Sequence, residues 1–223
     1  MSDVFQEVDE DLRRQELEAV WRRFGPWAVG AALVAIAITS GYMYWQNQKE
    51  AALAEAGDQL LGGIELILDG DNASASAAFA ALAEDAPGGY RPMALFQQAA
   101  ALRLDGRLAE AIVIYDQLAD DTSLNTDFQN LARLSAGYIA LESPVMGFPD
   151  IESRLGSVTE TAGPWRYHAL EVLGFAAYSA GQSETATEHY RQITDDGLAP
   201  TSVASRANEM LEMIESAASA SAD

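Results

Sequence analysis

Three short segments of the chain share one local pattern: Leu68-Asp69-Gly70-Asp71, Leu104-Asp105-Gly106-Arg107 and Ser179-Ala180-Gly181-Gln182. Each is a polar turn between two helical runs. The first two glycines lie 36 residues apart, and the second and third 75, which is two periods with small insertions. Aligned on these glycines, further positions coincide. Five residues later stands alanine (Ala75, Ala111, Ala186), and nine later an aromatic (Phe79, Tyr115, Tyr190). Twelve later comes an aliphatic (Leu82, Leu118, Ile193), and seven before comes a small residue (Gly63, Ala99, Gly174). Helix hairpins explain all four positions. Antiparallel helices approach closely where both sides are Gly or Ala, the ring fills the groove towards the next hairpin, and glycine takes the backbone of the tight turn. Stacked units of this kind build a solenoid.

This pattern resembles the tetratricopeptide repeat, a hairpin of about 34 residues with Leu/Trp-x2-Leu-Gly-x2-Tyr, then Ala, then an aromatic. Leu170, Leu173, Gly174, Ala186 and Tyr190 fit it, with Ala177 where an aromatic is common. So do Leu95, Ala99, Leu102, Ala111, Tyr115 and Leu118; the first unit, with Gly63, Leu66, Ala75, Phe79, Leu82 and Pro87, fits moderately. A degenerate unit lies between Asp127 and Glu160. Its first helix carries Leu131, Leu134, Tyr138 and Leu141; its second, after Pro149, carries Ile151, Leu155 and Val158. Val203, Met210, Leu211 and Ile214 mark a final helix that caps the open end. The 41 alanines, with few β-branched runs, also favour close-packed helices over sheet.

Residues 27–45 carry no charge and are bounded by aromatics: Trp21 and Trp27 at one end, Tyr42, Tyr44 and Trp45 at the other. As a helix this run spans about 28 Å, near the thickness of a bilayer core. Arg13, Arg14, Arg22 and Arg23 precede it and Lys49 follows, which predicts a cytoplasmic N-terminus and an exported C-terminal part. A buried core helix and a cleaved signal sequence are the alternatives. Ala28, Ala32 and Ala35 form a small-residue stripe, and Phe5, Val8, Leu12, Ala19, Val20 and Phe24 give the preceding segment an amphipathic helical period, with Asp3 and Gln6 as a capping pair. The expected fold is all-α: an N-terminal transmembrane helix, then a tetratricopeptide-like α-solenoid of about four hairpins and a capping helix. The expected segments are a leader at 1–26, the span at 27–45, the repeat domain at 46–215 and a polar, disordered tail at 216–223.

Charge and composition narrow the function. A net charge of −21 leaves nothing to displace counterions from nucleic acid. The absence of cysteine excludes thiolate chemistry, disulfides and Cys-ligated metals. No phosphate-cradling loop, zinc helix or nucleophile elbow occurs, so no catalytic residue, cofactor or small-molecule substrate is expected. His168 and His189, on the two helices of the last hairpin, lack an organised carboxylate and make a poor metal site. What a solenoid offers is a concave face lined by its first helices. By the hairpin register that lining includes Leu60, Ile64 and Ile67, then Phe96 and Arg103, then Glu171, Phe175 and Tyr178. Leu60, Ile64, Phe96, Arg103, Phe175 and Tyr178 are thus the candidate protein-binding residues, with Ile64 equally suited to the inter-repeat core. The acidic surface favours basic partners by steering.

The leader Ser-Asp-Val-Phe-Gln-Glu-Val-Asp-Glu-Asp-Leu-Arg-Arg-Gln at residues 2–15, followed by Trp21-Arg22-Arg23-Phe24-Gly25-Pro26, resembles the bacterial family of ancillary SecYEG translocon subunits. The resemblance implies a single-pass inner-membrane protein with a periplasmic repeat domain. It implies a non-catalytic role, with the SecYEG translocon, periplasmic chaperones and exported client proteins as partners. The other reading is a periplasmic adaptor of a different envelope machine, for outer-membrane assembly or cell division.

Overall fold

The repeated glycines end helices in one common geometry. In the computed structural model Gly70, Gly106 and Gly181 have φ of 82°, 79° and 75°, the left-handed region that a Cβ disfavours. The residue after each glycine donates its N–H five residues back: Asp71 to Leu66 O, Arg107 to Leu102 O and Gln182 to Ala177 O, each at 2.9 Å. This closes the helix carbonyls as in a Schellman turn. The same residue's carbonyl then accepts the first bond of the next helix, from Ala75, Ala111 and Ala186. One residue therefore both closes one helix and opens the next, which explains the fixed spacing from glycine to alanine.

The structure describes the backbone of residues 3–220 and the side chains from Arg22 onward, except at 24, 25, 28, 29 and 32. The leader pattern of Phe5, Val8, Leu12, Ala19, Val20 and Phe24, the capping pair, Trp21, and Ala28 and Ala32 of the small stripe lie outside these described side chains. The elements are α1 (Asp3–Leu68), α2 (Asn72–Asp85), α3 (Tyr90–Leu104), α4 (Leu108–Ala119), α5 (Thr126–Glu142), α6 (Phe148–Glu160), α7 (Arg166–Ser179), α8 (Ser183–Thr194) and α9 (Thr201–Ala220). Residues 216–220, assigned by composition to a polar tail, are thus helical. The chain divides into two units, Met1–Ala54 and Glu55–Asp223.

The first unit overturns the membrane reading. Among the described residues no helix is long and apolar enough to cross a membrane. The transmembrane helix at 27–45, and with it the single-pass inner-membrane placement with a periplasmic C-terminal domain, are therefore corrected. The uncharged run mixes aliphatic residues with glycine, alanine, serine, threonine and tyrosine. It forms part of the 66-residue helix α1. Polar contacts continue along it: Thr39 Oγ1 donates to Ala35 O at 2.8 Å, Gln48 Nε2 donates to Tyr44 OH at 3.0 Å, and the Lys49 ammonium sits 3.6 Å over the Trp45 ring.

In the second unit the aromatic nine residues past each turn glycine closes its own hairpin. A Cβ at Gly174 would lie 2.8 Å from Tyr190 Cζ, and one at Gly63 would collide with the Phe79 ring. Phe79 and Tyr190 are almost wholly buried. The ring therefore lies on the glycine of the partner helix, rather than only filling the space towards the next hairpin. The second hairpin has Ala99 and Tyr115 at these positions, both buried. In the degenerate third hairpin Leu155 takes the ring's place over Gly137, 2.8 Å from where a Cβ would stand. Gly137 and Leu155 are eighteen residues apart against sixteen for Gly174 and Tyr190, and the extra length lies in the α5–α6 turn. That turn is closed by Gly147 N–H donating to Asp150 Oδ2 at 2.9 Å, with no left-handed glycine.

His189 gives this core a pH dependence. Both ring nitrogens are buried without a hydrogen-bond partner among the described residues, and the ring lies 6.4 Å from Phe148. Burial pushes its pKa down, against the pull of Glu152 and Glu188. The folded state thus holds His189 neutral, while the unfolded chain takes up a proton below about pH 6.5. Its contribution is complete above that pH and declines as pH falls towards the depressed folded value. The melting temperature of the wild type should therefore drop more steeply than that of His189→Phe between about pH 7.5 and 5. Parallel curves for the two proteins would contradict this.

Candidate protein-binding groove

First helices stand side by side in the stack, so α5, α7 and α9 present one continuous face. On α7, Leu170, Leu173, Gly174 and Ala177 are buried. Glu171 and Phe175, one turn apart, point the other way, into a groove of about 570 Å³. Val172 and the Tyr190 ring contribute to its floor; Tyr138 and Leu141 of α5 form one wall. Arg206, Glu209, Met210 and Met213 of α9 form the other. Phe175 is 46% exposed, Tyr138 43% and Met213 41%, so large apolar groups stay open to solvent. The volume falls in the range of ligand clefts, and the lining is mostly apolar with few polar groups.

The polar centre of the groove is one ion pair. Arg206 donates Nε to Glu171 Oε1 at 2.5 Å and Nη2 to Oε2 at 2.7 Å, a two-point fork. His168 Nδ1 lies 3.8 Å from the same carboxylate. The Glu171 bond holds the Arg206 guanidinium above its ordinary range. Burial, and secondarily the Glu171 charge, push the Tyr138 hydroxyl up, opposed by Arg206, so it stays protonated at neutral pH. Nothing in this set offers a nucleophile and a base in contact.

The six candidate positions separate in the structure. Phe175 lines the groove as the register places it. Tyr178 is half-buried against the core, as is Ile64, and Leu60 is buried. Phe96 is half-buried, edge-on to Tyr115 at 5.3 Å and to Phe128 at 5.1 Å. Arg103 is exposed, but its fork is taken by Glu142 of α5, with Nη2–Oε1 at 2.6 Å. The sequence reading missed the α9 wall. Arg206, Glu209, Met210 and Met213 recur at three-to-four spacing, a stripe beside the buried Val203, Ala207 and Ile214. That second stripe is the signal: a helix that only capped the stack would not place two methionines on the side facing α7.

The tetratricopeptide repeat-like domain family matches residues 18–146, more than half of the chain. The chain belongs to the tetratricopeptide repeat-like family. Tetratricopeptide-like folds are typical of non-catalytic modules that bind other proteins, and this chain has that architecture. The matched segment ends before α7 and α9. The Gly181 turn and the Tyr190 ring over Gly174 carry the tetratricopeptide geometry through the remainder. No curated protein and no solved structure matches the chain.

Proposed function

We propose that this chain is a non-catalytic interaction factor that holds a segment of another protein in the groove between α5, α7 and α9. The observation that supports this most is the exposure of Phe175, Tyr138 and Met213 around an apolar floor. Aromatic and methionine side chains in such a cleft supply contact area and adapt their shape to a bound segment. The finer reading is that the partners belong to protein export: the SecYEG translocon, chaperones and exported clients. Its support is the leader at residues 2–15 and 21–26 alone.

Crosslinking in cells followed by mass spectrometry tests both levels. The full chain should capture translocon subunits or export chaperones, and a chain whose leader is replaced by an unrelated sequence should lose the translocon subunits. Unchanged capture after the exchange would remove the leader's part in partner choice. Capture of partners from another envelope machine, with no translocon subunit, would refute the finer reading and leave the module's binding role standing.

A further inference from the structure

The unit Glu55–Asp223 carries 26 acidic side chains and eight arginines, and no lysine. Seven of those arginines are already spent on carboxylates. Arg91 pairs with Asp121, Arg107 with Glu110 and Arg133 with Asp120. Arg154 pairs with Asp116 and Arg166 with Asp196. On the face of the first helices, Arg103 is forked by Glu142 and Arg206 by Glu171. Among the described residues of this unit, Arg191 alone has no ion pair, and it sits on α8, away from the groove lining. The surplus is entirely acidic. Within the groove Glu209 makes no hydrogen bond or ion pair among the described residues, although its charge acts on Arg206. A carboxylate on an incoming chain would thus find no free cation and would meet Glu209, whereas an ammonium or guanidinium would find Glu209 free.

We infer that the groove selects an amphipathic segment whose apolar anchors are flanked by lysine or arginine, and rejects the acidic counterpart. This rests on the groove reading above and adds the sign of the partner's charge. The apolar anchors seat against Phe175 and Met213, and one basic side chain lies over Glu209. Both signs of selection act together: a favourable pair for the basic segment and a like-charge contact for the acidic one.

The test uses the full chain and two fluorescein-labelled peptides of one leucine–alanine helical pattern, one with lysine and one with glutamate on the polar face. Fluorescence anisotropy should show the lysine peptide binding at least tenfold more tightly than the glutamate peptide. That preference should shrink between low and high salt, as screening weakens exposed charges. Glu209→Lys should lower the ratio several-fold, and Phe175→Ala should weaken the lysine peptide by at least tenfold. Equal binding of the two peptides, both lost in Phe175→Ala, would overturn the charge selection while leaving the groove as a binding site. Lysine-peptide binding that ignores both Phe175→Ala and Glu209→Lys would be diffuse attraction to the acidic surface, and would overturn the inference together with the groove.

Discussion

Tyr190→Ala should cost about 3–5 kcal/mol, the range for deleting a large buried ring. Measured against the roughly 5–15 kcal/mol that holds such a domain together, this is a large share of the whole. Tyr190 is 1% exposed and its ring lies on Gly174, so the cavity would open between two helices of one hairpin. The converse change, Gly174→Ala, should cost about 1–3 kcal/mol, because the added methyl enters space the ring fills. Combining the two reverses the sign of the second. With the ring gone, alanine at 174 no longer meets its three nearest obstacles, all atoms of that ring, and its better helix propensity stabilises by about 0.8–1.0 kcal/mol relative to glycine. Urea unfolding of the four proteins gives the coupling. If Gly174→Ala costs the same in both backgrounds, the ring-on-glycine contact is not what sets the repeat.

Phe175→Ala combined with Met213→Ala should leave folding nearly unchanged, since both side chains are more than 40% exposed. Partner affinity should fall by about 2–4 kcal/mol, roughly thirty- to several-hundred-fold in Kd, the scale of exposed anchors at the centre of an interface. The two positions come from different helices, α7 and α9, and face the same cavity. Calorimetric titration of a captured partner into wild type and double variant reads this directly. Equal affinities with normal melting would move the interface off this groove.

Much of the architecture is legible from glycine spacing because the turn geometry is local. A left-handed glycine, the bond five residues back and the alanine that follows all lie within ten residues of chain. The third hairpin is harder to read for the same reason. Its turn is longer and closed by Asp150 on Gly147, so the Gly137–Leu155 pair falls out of register with the other three. The uncharged run at 27–45 shows the opposite failure. Lack of charge is easily seen along a sequence, yet by itself it does not establish a crossing helix, and no described helix is long and apolar enough to be one.

The groove is only half legible. Hairpin register finds Glu171 and Phe175, because they sit opposite the buried stripe of their own helix. It does not separate Phe175 from Phe96 or Leu60. Those side chains start from equivalent helices but are covered by neighbours that are distant in sequence, as Phe128 covers Phe96. Arg103 looks available in the sequence, and only the fold brings Glu142 to it from 39 residues away.

The most direct test of the groove is site-specific photocrosslinking in cells. A photoreactive residue would replace Phe175 on the groove or Val113 on α4, which is 65% exposed and lies outside the groove. Crosslinks to a discrete partner from position 175 and none from position 113 are the predicted result. The same partner captured equally from both positions, or from 113 alone, would contradict the account.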